Sequence, residues 1–213
     1  MSSPAIAPAP PPTSRLAQLR VAQRESDEAS FFYWDVNFGR DAVRVMPGEF
    51  FVADQDMLIV TTLGSCIAAC LWDRERRIGG MNHFMLPDGD GGRYGSYAME
   101  LLINNLLKRG ASRATLEAKV FGGGAVIPAM TSLNVGERNT RFVFEYLQAE
   151  RIPVVSKDVL DSCARKVCLL AASGKALVKR LTPANPAALA AQERAAAEKA
   201  APHATGGGSV DLF

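Results

Sequence analysis

The sequence predicts an α/β (α+β) sandwich of mixed, largely antiparallel sheets with two main helices. Three observations lead there. Short runs rich in β-formers recur, two longer segments carry a helical period, and several strand-like runs follow one another closely enough to form hairpins. The strand-like runs are Glu49–Ala53, Met57–Thr62, Cys66–Trp72, Gly80–Leu86, Leu116–Phe121, Val167–Ala172 and Ala176–Leu181.

The first helix is expected over Tyr97–Arg109, where Met99, Leu102, Ile103, Leu106 and Leu107 make one apolar stripe. Ser96 stands as its N-cap and Gly110 as its stop. The second is expected over Glu137–Arg151, with Phe142, Val143, Tyr146 and Leu147 on one side and Pro153 beyond its end. Ser173-Gly174 joins two strand-like runs as a tight hairpin.

The folded unit is placed at residues 30–182, within the range of one domain with a sizeable core. Residues 1–29 form an N-terminal tail, largely disordered, Pro/Ala/Ser-rich as far as Ser14. Residues 183–213 form an Ala/Pro/Gly-rich C-terminal tail. There Asn185-Pro186 can start a short helix, GGGS reads as a linker, and SVDLF could serve as a docking peptide. A net charge of +2 with dispersed Lys and Arg argues against nucleic acid as the main partner. No apolar run has the length of a membrane span, so membrane insertion is not expected. The N-terminus lacks a basic, then apolar, leader, and the expected location is cytoplasmic.

The chemistry concentrates in TTLGSCIAACLWDRERRIGGMNHFMLP, Thr61–Pro87, which holds Cys66, Cys70 and His83. If Cys66–Trp72 and Gly80–Leu86 pair antiparallel about a turn between Arg74 and Glu75, partners sum to 149 and Cys66 lies opposite His83. A one-residue shift at Gly79-Gly80 would instead put them on opposite faces. A thiol beside an imidazolium is biased to thiolate, which attacks a carbonyl carbon while the imidazolium protonates the departing group. Gly64 allows close backbone approach, and the amides of Ser65 and Cys66 can serve as oxyanion donors. The alternatives are that cysteine and histidine are core residues, or that Cys66, Cys70 and His83 bind zinc without an evident fourth ligand. No metal and no cofactor are expected.

LGSCIAACLWD followed by GGMNHFMLP resembles the signature of the CheD chemoreceptor glutamine deamidases of bacterial chemotaxis. The similarity continues through RYGSYAMELLINNLLKRGA, KVFGGGA, VGERN, FVFEYLQAERIPVVSKDV and RKVCLLAASGKALVKRL, from about Pro47 to Leu181. The resemblance implies an α/β sandwich with a Cys-His pair, akin to the deamidase domain of cytotoxic necrotising factor toxins. It implies conversion of glutamines to glutamates on the cytoplasmic helices of methyl-accepting chemotaxis receptors, with Cys66 as nucleophile and His83 as base. Some family members also hydrolyse receptor methyl esters, and some pair with a CheC phosphatase. The implied activity is thus a protein-glutamine glutaminase; a receptor-binding adaptor and a receptor methylesterase are its rivals.

The family's third catalytic residue is a threonine six positions before the cysteine that orients the histidine. That position is Val60 here. Thr61 is the candidate for the role, and Thr62 shares the strand parity of Val60. Gly122–Gly124 either admits a substrate backbone or makes a tight strand-to-loop turn. Glu137 and Arg138 either start the second helix or contact substrate. Cys163 is read as a loop substitution and Cys70 as core.

Overall fold

The structure, a computed structural model, describes residues 15–87, 91–126 and 135–181. Two five-stranded sheets lie face to face, and two helices cover the outer side of one of them. The strands are β1 (Phe31–Asp35), β2 (Arg40–Arg44), β3 (Phe50–Ala53), β4 (Leu58–Leu63), β5 (Ile67–Asp73), β6 (Ile78–Asn82), β7 (Leu116–Gly122), β8 (Val154–Val159), β9 (Ala164–Leu170) and β10 (Lys175–Leu181). The helices are α1 (Arg15–Val21), α2 (Gly95–Lys108) and α3 (Val135–Ala149).

One sheet has the order β1-β2-β4-β9-β10 and the other β3-β6-β5-β7-β8. Each contains a single parallel pair, β2 with β4 and β7 with β8, among antiparallel neighbours. This is the mixed, largely antiparallel α+β sandwich expected from the sequence.

Strand alternation decides which layer each side chain enters. On β5, Ile67, Ala69 and Leu71 meet the α2 and α3 stripe, while Ala68 and Cys70 face the other sheet with Met81. On β4, Ile59 and Leu63 enter that same inter-sheet core, whereas Leu58 and Val60 join a small cluster on the opposite face. The two glycines of β6 set how close the layers come. A Cβ at Gly79 would lie 2.9 Å from the Ala171 carbonyl oxygen of the facing sheet, and one at Gly80 would lie 2.7 Å from Leu102 of α2. Both pair in register with Trp72 and Leu71, without a bulge.

Several expectations change. The fold takes in residues assigned to the N-terminal tail: α1 buries Leu16 in the inter-sheet core, and Ala29 is buried beside it. Strands β1, β2 and β8 were not among the expected runs. β1 is aromatic with Phe32 buried, β2 buries Ala42 and Val43 between charged residues, and β8 exposes half its residues, so pairing with β7 rather than burial holds β8. Ser96 lies inside α2; the N-cap position is Tyr94, whose side chain makes no cap bond. Gly110, at φ +95°, does terminate that helix, and an antiparallel hairpin does close through Ser173-Gly174. No described helix is long and apolar enough to cross a membrane. The C-terminal tail lies outside the described residues.

Candidate active site

Cys66 is the last residue before β5, and His83 is the first after β6. The β5–β6 register pairs Cys70 with Met81 and Asp73 with Ile78, and the bridge Ile67–Phe84 continues it. Partners therefore sum to 151 rather than 149, because the reversal takes Arg74–Arg77, with Arg77 at φ +58°. His83 lies across from Ala68, and Cys66 is one same-face step further along. The even offset preserves the face, so cysteine and histidine are diagonal neighbours in the inter-sheet layer instead of direct partners. Both are 2% exposed.

The histidine is held from both sheets. Its own amide donates to the Glu49 carbonyl (2.9 Å), and its carbonyl accepts from the Gly48 amide (2.7 Å), both on the β3 side. From the facing sheet, Thr61 on β4 brings Oγ1 to 2.8 Å from His83 Nδ1 and to 2.7 Å from the Val45 carbonyl oxygen. A carbonyl can only accept, so the single threonine proton goes to Val45. Thr61 Oγ1 must then accept from His83, which assigns the proton to Nδ1 and leaves the lone pair on Nε2. That Nε2 is buried without a hydrogen-bond partner among the described residues.

Desolvation pushes the imidazole pKa down to about 4, against a smaller upward pull from the Val45 carbonyl. The ring is thus neutral at neutral pH. Burial thus disfavours the charged imidazolium that the sequence reading paired with a thiolate.

The loop before the cysteine is fixed through its carbonyls. Gly64 accepts from the Gly124 amide and Cys66 from the Gly123 amide, each at 2.8 Å, and Ser65 accepts from Asn139 Nδ2 at 3.2 Å. Gly122 and Gly123 have φ of +111° and +69°, and a Cβ at Gly122 would overlap the Cys66 carbonyl oxygen. Gly122 ends β7, and Gly123 and Gly124 continue alongside the Cys66 loop, so the absence of side chains here lets the two backbones press together.

Thr61 is the hydroxyl that meets the histidine. Val60 and Thr62 point to the other face of β4, Val60 into the small outer cluster and Thr62 exposed. Cys70 is core, and burial drives its thiol pKa well up. Among the described residues, no group of three or more His, Cys, Asp or Glu is placed to hold a metal ion. Glu137 lies in the first turn of α3. Cys163 lies in the β8–β9 loop, where its carbonyl accepts from Arg165.

Two residues of this region were not singled out by sequence reasoning. Arg165 is fully buried and binds Asp158, the Leu160 carbonyl and the Cys163 carbonyl, closing the loop against Gly124. Asn139 is fully buried on α3 and binds the loop before the cysteine. Its signal was available: an amide set three and four residues before Phe142 and Val143, on the apolar side of a helix.

The fold and site define an α+β two-sheet protein with an oriented imidazole and a cysteine on one buried face. Comparison with known proteins narrows this. A family model described as CheD chemotactic sensory transduction matches residues 85–180. A probable chemoreceptor glutamine deamidase CheD 1 of Albidiferax ferrireducens is 60% identical over 204 residues, 94% of this chain and 87% of the relative. One of the same name from Dechloromonas aromatica is 58% identical over 157 residues, 70% of this chain and 78% of the relative. A probable chemoreceptor glutamine deamidase CheD from Janthinobacterium sp. is 48% identical over 194 residues, 87% of this chain and 95% of the relative. The chain belongs to the CheD family.

Proposed function

We propose that this protein is a chemoreceptor glutamine deamidase, with Cys66 as nucleophile, His83 as general base and acid, and Thr61 as the residue that orients His83. The observation that carries this reading is the chain from Val45 through Thr61 to His83. It sets the tautomer and leaves a neutral, buried Nε2 on the cysteine's face. The names of the relatives supply the substrate class.

In the proposed reaction, His83 Nε2 takes the Cys66 thiol proton as the sulfur bonds to the side-chain carbonyl carbon of a receptor glutamine. The amides of Ser65 and Cys66 stabilise the oxyanion of the tetrahedral intermediate. The imidazolium returns its proton to the amide nitrogen, the C–N bond breaks, and ammonia leaves a thioester. Water then adds to the thioester with Nε2 accepting its proton, and collapse expels the thiolate, which recovers the proton. The product is glutamate. A neutral imidazole suits this sequence, because the first step requires an unprotonated Nε2 with its lone pair available, and burial keeps it so at any pH well above 4.

Burial of both reactive groups suits a slender side chain presented by a protein surface, with receptor contacts supplying the positioning. The test is incubation with a receptor cytoplasmic fragment and mass mapping of amide-to-acid conversion. Conversion is expected with the wild type and not with folded Cys66→Ala or His83→Ala. Full conversion by Cys66→Ala would overturn the assignment, and binding without conversion by the wild type would leave an adaptor. Methanol release from methylated receptor, without ammonia release, would make the protein a methylesterase.

A further inference from the structure

The antiparallel ladder between β5 and β6 stops at the mouth of the site. Ile67 and Phe84 exchange both backbone hydrogen bonds at 3.0 Å. In register, the next such pair would be Ser65 with Leu86. It does not form on the β6 side: the amides of Met85 and Leu86 instead donate to the Arg93 carbonyl, at 2.8 and 3.2 Å. The two chains part at the position where one carries the nucleophile and the other has just passed the base.

A side chain fills the gap. Asn139 Nδ2 lies 3.2 Å from the Ser65 carbonyl oxygen and 2.8 Å from the Met85 carbonyl oxygen. One amide nitrogen has two hydrogens, so each carbonyl receives one. Ser65 directly precedes Cys66, and Met85 follows His83 by two residues, so the bridge joins the backbones of both reactive groups.

The helix that delivers the amide is seated on both sides of it. Three residues earlier, a Cβ at Gly136 would overlap the Gly123 carbonyl oxygen, and Thr140 Oγ1 fills the space beside Gly123. Three residues later, Phe142 packs edge-on against Phe84 at 5.8 Å between centroids and closes over Gly95. Positions 136, 139 and 142 share one helix face. Close glycine contact and an aromatic pair thus place the carboxamide without freedom to swing, and at 0% exposure no bulk water competes for its bonds.

We propose that Asn139 is a positioning residue: its carboxamide stands in for the missing rung of the β5–β6 ladder and fixes the spacing between the Cys66 loop and the segment carrying His83. Its hydrogen bonds go to the two backbones, through which it acts. The kinetic part of this proposal rests on the deamidase reading; the thiol-reactivity part does not.

The test uses the full chain. Asn139→Ala is expected to lower kcat for receptor deamidation about 30-fold or more, with KM within about twofold, since misplacing reacting groups costs turnover rather than binding. Alkylation of Cys66 by iodoacetamide, read by mass mapping of its peptide, should slow by a similar factor. Asn105→Ala is the control: that buried amide on α2 binds Glu25 and the Leu101 carbonyl, and its loss should leave kcat and alkylation unchanged.

Asn139→Asp gives a signature that lost stability does not. A carboxylate facing two carbonyl oxygens can donate only when protonated, so the ratio of variant to wild-type rate should climb as pH falls from about 8 to 5. Folded Asn139→Ala with wild-type kcat and alkylation overturns the proposal, as does Asn139→Asp with a constant ratio across pH. If Asn139→Ala does not fold, Asn139→Asp decides alone. If the wild type fails to deamidate receptor, the deamidase reading falls, and the alkylation rates still decide the role of Asn139.

Discussion

The two ends of the β5–β6 pair are built differently. From Cys70–Met81 to Asp73–Ile78 the strands are joined by an unbroken backbone register, and the Asp73 carboxylate closes the turn by accepting from the Glu75 and Arg76 amides at 2.9 Å. Toward the site the ladder is patched by side chains. Ala69 donates to Asn82 Oδ1 at 3.0 Å, and beyond Ile67–Phe84 the amide of Asn139 bridges the chains. Backbone rungs hold two strands at one fixed spacing, whereas a side-chain amide can hold them slightly apart. The regular end supplies stability; the patched end makes room for a cysteine and a histidine to share a buried layer without pairing directly.

Cys66, one residue before β5, and Cys70, within it, sharpen this contrast most, both being buried in the same inter-sheet core. Cys66→Ala is expected to reduce deamidation at least about 10³-fold, while its thermal midpoint stays close to that of the wild type. Cys70→Ala should do the reverse, keeping kcat within about twofold while losing about 1–2 kcal/mol in denaturant unfolding, as a buried atom is removed from packed core. Equal activity losses in both would mean that the two ends are not functionally distinct.

Thr61→Val keeps the shape of β4 and removes the hydroxyl between Val45 and His83. With no acceptor at Nδ1 the ring loses its fixed tautomer and orientation. A fall in kcat of about 10²-fold is expected, with Thr61→Ser within about fivefold of wild type. A Thr61→Val enzyme at full activity would remove the orienting role.

The pH dependence follows from the burial of His83. The folded protein holds the ring neutral down to about 4, while an exposed histidine protonates near 6.5. The acid limb of kcat/KM should therefore fall near pH 4. For stability the sign is fixed by proton count: between 6.5 and 4 the unfolded chain binds the extra proton, so stability drops as pH falls through that window, by up to about 1.4 kcal/mol per pH unit from this group. His83→Gln should flatten that slope in chemical unfolding measured from pH 7 to 4. An acid limb near 6.5 in the wild type would mean that the ring is solvated in the working enzyme.

Much of this was legible in the sequence, for reasons that differ by residue. The inter-sheet face of β5 and the two long helices follow from alternation and helical period, which one chain displays by itself. The diagonal placement of Cys66 and His83 did not follow, because the loop length between paired strands depends on where a positive φ is tolerated, here at Arg77. Strands β2 and β8 stayed hidden because charged residues such as Asp41 and Lys157 break their apolar pattern. Leu16 and Ala29 were missed because a single buried side chain beside a Pro-rich stretch gives no periodicity to read. Asn139 could be seen as an amide on an apolar helix side, but its two carbonyl partners come from segments 54 and 74 residues away, which no local pattern reports.

The smallest expected effect tests the faces of β4. Val60 is buried in the outer cluster with Ala42, Leu58 and Cys168, on the side of the strand away from His83. Val60→Thr restores the residue type that resemblance places six positions before the cysteine, yet alternation sends its hydroxyl out of the site. Activity should stay within about twofold, and stability should fall by about 1–2 kcal/mol because a hydroxyl enters an apolar cluster in place of a methyl group. The decisive form is the double variant Val60→Thr with Thr61→Val. It should be as inactive as Thr61→Val alone, since Val45 and His83 face only one side of the strand. Recovery of activity in the double variant would require β4 to slip by one residue and turn over every side chain it carries, including Ile59 and Leu63 of the inter-sheet core. The burial of those two side chains opposes that slip, so the faces of β4 rather than the spacing to Cys66 decide which threonine meets His83.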